Sequence, residues 1–201
     1  MTAEAPAARA KHLANTPLIL STYITGEAQS VARLHAAIIR ELMDSGNPVP
    51  PPCAVVSGGE ATVVVRGDGT GGPNQEFALT LAVELEGVEG WAAFAVDTDG
   101  NDGPTDAAGG LVSGTTARTI RENGADPQKA LDNNDARNAL LVGTPCYRRA
   151  RRAPTSTTCA WPWSSEVGSI VRDIQYRKHD SNSERSDACD FHKSSLACRA
   201  G

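Results

Sequence analysis

The run Trp91-Ala92-Ala93-Phe94-Ala95-Val96 leads directly into Asp97-Thr98-Asp99-Gly100-Asn101-Asp102-Gly103-Pro104-Thr105-Asp106. Six apolar residues bounded by turn formers read as a buried strand. Four carboxylates, two glycines and a proline at its carboxyl end read as a loop. Open α/β sheets bind ligands at the carboxyl ends of their strands, so the pair points to an α/β fold with its candidate site here. Asp, Asn, Gly and Pro are also ordinary turn residues, and a solvated turn stays open beside a hard-cation or polyol-binding loop. A calcium loop of the helix-loop-helix kind does not fit, because Asp102 stands where that loop needs Gly and Ala108 where it needs Glu. Mg²⁺ with a phosphate completing its shell fits better.

Working outward, Leu18–Ile24 suits a buried strand. Val31, Leu34, Ile38 and Leu42 then predict one helix from about Glu27 to Asp44, stopped by Ser45-Gly46-Asn47-Pro48. His35 on that helix reads as a structural or surface histidine rather than a ligand. After the proline-rich connector 48–52, Cys53–Ser57 predicts a second strand, Gly58-Gly59 a turn, and Thr62–Val65 a returning third strand. The glycine loop Gly67-Asp68-Gly69-Thr70-Gly71-Gly72-Pro73 opens a helix from Asn74 to Leu85, an arrangement that can present backbone N–H groups to an anion. Gly67, Gly69 and Gly72 spell G-x-G-x-x-G, a weak dinucleotide fingerprint in the absence of a suitably placed acidic residue. Beyond the Asp-rich loop, Ala107–Val112 predicts a strand, Ser113-Gly114-Thr115-Thr116 starts a helix to about Asn123, and Asp126-Pro127 starts a short one. A last helical run ends near Gly143, and no element is expected beyond Pro145.

The chain has 201 residues, 40% of them hydrophobic, enough for one core or one domain with an appendage. Residues 1–145 carry 9 basic and 18 acidic side chains, whereas 146–201 carry 10 basic and 6 acidic. Cysteine usage changes at the same place, with Cys53 before it and Cys146, Cys159, Cys189 and Cys198 after it. No C-x-x-C pair argues for zinc. No signal-peptide h-region or long apolar run is present, so the expectation is a reduced, cytoplasmic protein without membrane or nucleic-acid partners. The competing reading of 146–201, a basic extension that binds nucleic acid or a partner, sits poorly with Trp161-Pro162-Trp163 and four cysteines.

Four strings resemble the C-terminal half of the glycerate 2-kinase family, whose module is called the MOFRL domain. They are Pro17–Tyr23, Ser57-Gly58-Gly59-Glu60, Gly71–Leu79 and Asp97–Gly109, and the resemblance covers about residues 13–145. It implies an α/β domain, a mixed sheet with flanking helices, forming the C-terminal part of a two-domain kinase with an irregular tail. It also implies ATP- and Mg²⁺-dependent phosphorylation of the 2-hydroxyl of D-glycerate; some relatives carry the label hydroxypyruvate reductase. On that basis Gly69, Gly71, Gly72 and Asn74 form a phosphate-side loop, and Glu76 orients donors in the first helical turn. Asp97, Asp99, Asp102 and Asp106 hold Mg²⁺ or substrate hydroxyls, or else cap turns and brace the glycine loop, with Asp97 and Asp99 the candidates for metal.

Three departures from the family pattern lead us to assign no catalytic residue. The family has an N-terminal domain of roughly 200 residues or more, facing this one across the active-site cleft and carrying the catalytic lysine. Pro73 occupies the place of a family arginine, a change reachable by one base (CGN to CCN), and a positioned arginine is worth about 10³ to 10⁵ in phosphoryl transfer. The family ending Gly-Pro-Thr-Gly-Thr-Asn-Val-Asn-Asp-Leu-Arg is also missing. Yet the codons from Arg148 to Trp163, each read from its third base, permit Thr-Gly-Pro-Thr-Gly-Thr-Asn-Val-Asn-Asp-Leu-Arg-Val-Ala-Leu throughout. The expectation is a family domain over 1–145, weakly active or inactive alone, and a frameshifted or disordered tail over 146–201. The alternatives are a non-enzymatic module that pairs with a separately encoded N-terminal half, and an NAD(P)-linked reductase.

Overall fold

In the computed structural model, residues 4–12, 15–143 and 158–162 are described. Helix α1 (Glu4–His12) precedes strand β1 (Thr16–Glu27), helix α2 (Ala28–Ser45) and strand β2 (Cys53–Thr62). Helix α3 (Pro73–Glu84), strands β3 (Trp91–Val96) and β4 (Gly109–Ser113), helices α4 (Thr116–Glu122), α5 (Pro127–Asp132) and α6 (Ala136–Gly143), and strand β5 (Thr158–Pro162) follow. The sheet runs β1-β2-β5-β3-β4, parallel between β1 and β2 and antiparallel elsewhere. This is the expected mixed sheet with flanking helices.

The predicted hairpin at Gly58-Gly59 does not form, and Val63–Val65 is not a strand. Both glycines lie inside β2, which pairs parallel to β1 through two register shifts. A Cβ on Gly59 would fall 1.9 Å from the carbonyl oxygen of Ile24, at a φ of +154°. Glycine inside a strand allows such a close backbone approach as readily as it makes a turn. Strand β5 is a second departure. Its five residues show no clear alternation, but β2 and β3 each offer it an edge, and the pairing satisfies backbone groups on all three strands.

The buried face of α2 is also rotated from the predicted stripe. Ala28, Ala32, His35, Ile39 and Leu42 face the core, whereas Leu34 is 61% exposed. Small alanines let α2 lie against α3. Gly46 ends α2 in the left-handed conformation, φ 73°, and returns its N–H to Leu42. Every residue of α3 from Gln75 to Ala82 is buried. A helix covered on all sides cannot hydrate its polar groups, so those at its N-terminus need internal partners.

Candidate functional site

The far end of β1, the inner face of α2, the second half of β2, the start of α3 and the loop after β3 enclose a cavity of about 580 Å³. Its lining includes Thr22, Tyr23, His35, Ser57–Ala61, Pro73, Asn74, Phe77, Asp97 and Asp99. All four family-like strings, Pro17–Tyr23, Ser57–Glu60, Gly71–Leu79 and Asp97–Gly109, thus contribute to one lining. Among the described residues the lining carries Glu60, Asp97 and Asp99 and no lysine or arginine.

The glycine loop lies outside this lining apart from its end at Pro73, and its N–H groups from Gly67 to Thr70 are engaged within the protein. Asn134 Oδ1 accepts the N–H groups of Arg66 (2.6 Å) and Gly67 (3.0 Å), Asn133 Oδ1 that of Asp68 (3.3 Å), the Asn133 carbonyl that of Gly69 (2.9 Å), and Asp135 Oδ1 that of Thr70 (3.0 Å). A Cβ on Gly67 or Gly69 would come within 2.2–2.5 Å of Asn133 atoms. These glycines admit the protein's own α5–α6 connector. Gly71 packs on Ala136 beside them.

The four loop aspartates separate into three environments. Asp102 is fully buried against the start of α3, where Oδ1 accepts from Asn74 N (3.0 Å) and Asn74 Nδ2 (2.9 Å), and Oδ2 from Gln75 N (2.7 Å). The Gln75 side chain turns back to accept the N–H of Gly72 at 3.2 Å. An internal carboxylate therefore sits where an anionic ligand would meet the helix dipole. Burial pushes its pKa up to about 6 even against these donors. Asp106 points elsewhere and pairs with Arg137 at 2.7 Å. Asp97 and Asp99 remain at the cavity, joined by an Asx turn from Asp99 N to Asp97 Oδ1 (3.3 Å).

Among the described residues no group of three or more His, Cys, Asp or Glu side chains is arranged to hold a metal. One or two carboxylates completed by water and phosphate oxygens are nevertheless the usual protein share of a Mg²⁺ shell. Asp97 and Asp99 fit that donor set.

Glu76 is 1% exposed and lies away from the cavity lining. Its Oε1 accepts from Asn134 Nδ2 (2.6 Å) and its Oε2 from Gln29 Nε2 (3.4 Å), while Asn134 Nδ2 also lies 3.1 Å from the Val64 carbonyl. Asn134 holds a left-handed φ of 56°, a conformation asparagine tolerates better than most residues. The Asn133-Asn134-Asp135 bracket was missed in the sequence, where only its composition of Asx residues between two helices signals it.

The second missed feature is a buried pair. His35 Nε2 lies 2.9 Å from Ser57 Oγ and His35 Nδ1 2.8 Å from the Val31 carbonyl, so of its two readings the structural one holds and the surface one does not. The spacing Ala28, Ala32, His35, Ile39, Leu42 carries the signal.

Comparison with known proteins adds relatives to this geometry. Residues 53–157 match the model of the MOFRL family. D-glycerate 2-kinase of Thermotoga maritima is 48% identical over 122 residues, 61% of this chain and 29% of that protein. Glycerate 2-kinase of Pyrococcus horikoshii is 43% identical over 138 residues, 68% of this chain and 31% of its own length. A relative from Agrobacterium vitis that carries a hydroxypyruvate reductase name is 44% identical over 139 residues. The crystal structure of glycerate kinase from Thermotoga maritima superposes with a TM-score of 0.72 and 37% identity, covering 78% of this chain and 38% of that one. The chain thus spans about a third of the length of the relatives it matches.

Proposed function

The chain belongs to the MOFRL family, and from that premise we propose that it supplies one wall of a hydroxy-acid kinase site, in which ATP phosphorylates D-glycerate once a second domain faces the cavity. The observation that carries this reading is the meeting of Ser57–Glu60, Pro73-Asn74 and Asp97–Asp99 around one cavity. In this reading Asp97 and Asp99 hold Mg²⁺, which neutralises charge on the nucleotide phosphates when bound. Asn74 takes the phosphate side. Asp102, Glu76 and the glycines at 69, 71 and 72 are positioning elements that hold the start of α3 in place.

With no cation among the described residues of the cavity lining and Pro73 at the family arginine's place, the chain alone has little turnover. A coupled assay with ATP, Mg²⁺ and D-glycerate tests this. Rates far below 1 s⁻¹, the low end of ordinary enzymes, are expected for the isolated chain, rising when a relative's N-terminal domain is added. Full turnover by the chain alone overturns the reading. The nicotinamide alternative draws no support from the glycine loop, whose N–H groups from Gly67 to Thr70 are engaged by Asn133, Asn134 and Asp135.

We also propose that residues from about 146 onward are read out of frame. The support is that β5 fills a slot between β2 and β3, and the alternative frame supplies Leu-Arg-Val-Ala-Leu across the codons from Thr158 to Trp163. Sequencing the gene tests it, and absence of the family ending from that frame overturns it.

A further inference from the structure

One end of the cavity is acidic and the other aromatic. Asp97 and Asp99 follow β3, whereas Tyr23 belongs to β1. Three strand spacings separate β1 from β3 in the order β1-β2-β5-β3, roughly 14 Å across the sheet. Among the described residues the lining holds three rings, those of His35, Phe77 and Tyr23. The first two are buried and pack edge-to-face on each other, with centroids 5.1 Å apart. Tyr23 is 89% exposed, so its ring is open to a planar partner. The backbone accounts for its setting. Ser21 pairs with Ser57 and Ile24 with Gly59, so β1 covers three steps where β2 covers two, and the register shift falls on Thr22-Tyr23. A bulge of this kind leaves a residue out of the ladder and re-aims a side chain, and bulges are common beside ligand sites. On β2, Gly58-Gly59 also line the cavity, and without side chains they leave bare backbone as its surface there.

We infer that Tyr23 is the platform on which the base of a nucleotide stacks, with the nucleotide's phosphates directed toward Asp97 and Asp99. This rests on the kinase reading of the cavity given above and adds to it the end at which the base is held. A three-carbon hydroxy acid is too short to touch both ends, whereas a nucleoside diphosphate is long enough. A cavity of about 580 Å³ also falls in the size range of sites that enclose a ligand of that size. Stacking uses the π-face that every base has, so the ring of Tyr23 carries the interaction and its hydroxyl does not. No covalent bond forms or breaks in this binding step.

The test uses the full chain, with ADP and inorganic pyrophosphate as probes, each titrated with Mg²⁺ by calorimetry. Pyrophosphate has the phosphates and lacks the base. The ratio of ADP affinity to pyrophosphate affinity should fall about tenfold in Tyr23→Ala, the scale of one base stacked on one ring. In Tyr23→Phe the ratio should stay within about twofold of wild type, because the ring is kept. In Tyr23→Trp, ADP should quench the fluorescence of the added indole and pyrophosphate should not. A ratio unchanged in Tyr23→Ala overturns the inference and leaves the kinase reading standing, as does an equal loss of both ligands, which marks a merely structural role. Failure of wild-type protein to bind either ligand overturns that reading, and the inference with it. If Tyr23→Ala does not fold, the Tyr23→Trp fluorescence decides the matter: quenching by ADP alone supports the stacked base, and its absence overturns it.

Discussion

Oδ2 of Asp102 accepts the backbone N–H of Gln75 at 2.7 Å, joining the Asp-rich loop to the first turn of α3 across 27 residues of sequence. With Oδ1 on Asn74, this one carboxylate takes three donors at the start of the most buried helix in the described fold. Composition suggested a ligand loop; the geometry makes this residue the joint between the two segments that shape the cavity wall.

Asp102→Asn should destabilise the fold by about 1–3 kcal/mol, because the amide turns N–H groups toward N–H groups. Urea unfolding monitored by circular dichroism reads this directly. A change below about 0.5 kcal/mol would mean that the joint is dispensable.

The same residue sets a pH dependence. Its carboxyl rises from 3.8 to about 6 in the fold, because burial costs the charged form more than its three donors offset. The stability it contributes is fully present below about pH 3.8 and is lost as pH rises through about 6, on the order of 3 kcal/mol. Denaturation midpoints between pH 4 and 7 should show this decline in wild type and lack it in Asp102→Asn.

How much of this was legible depends on what each residue answers to. Helix α3, the strand Trp91–Val96 and the Asp126-Pro127 start of α5 obey local rules of burial and capping, with Asp126 accepting from Gln128 and Lys129 as its residue type predicts. Gly58-Gly59 and Gly67–Gly72 misled because a glycine marks close approach as well as turning or ligand binding, and only the tertiary partner, Ile24 or Asn133, tells which. The sequence left His35 open between a structural and a surface place for a related reason. Its face of α2 is lined with alanines, and a hydropathy stripe follows the larger side chains Val31, Leu34 and Ile38 instead.

Gly69→Ala places a Cβ 2.5 Å from the Asn133 carbonyl oxygen and from Asp135. Backbone and bracket must shift to relieve this, at about 1–3 kcal/mol. The loss should appear in the unfolding midpoint, together with faster hydrogen exchange at Arg66–Thr70. Unchanged exchange would show that the bracket does not hold the loop.

The aspartates should respond differently to Mg²⁺. Asp97→Asn and Asp99→Asn should each weaken Mg²⁺ binding severalfold in calorimetric titrations with ADP, while Asp106→Ala should leave it unchanged. The last substitution removes a partly exposed ion pair with Arg137, worth about 0–1 kcal/mol of stability. Equal effects from all three would contradict the separation of the loop into three environments.

Pro73→Arg should return a positive charge to the cavity wall at little structural cost. Pro73 is the first residue of α3, where no intrahelical N–H bond is lost or gained. The expected outcome is about tenfold tighter ADP binding at low salt, diminishing as ionic strength rises. Tighter binding that ignores salt would argue against an electrostatic origin.

Strand β5 offers the sharpest test of the reading frame. In the alternative frame the five positions read Leu-Arg-Val-Ala-Leu, which places two leucines and a valine on one face of a strand that pairs on both sides. Each such side chain contributes about 1.5–3 kcal/mol when buried. A chain with the frame restored from residue 148 should therefore unfold at a clearly higher denaturant concentration and run as a better-defined species on size exclusion. An equal midpoint for the two chains would show that Thr158–Pro162 fills the slot as well as the alternative does, and the frameshift would lose its structural support.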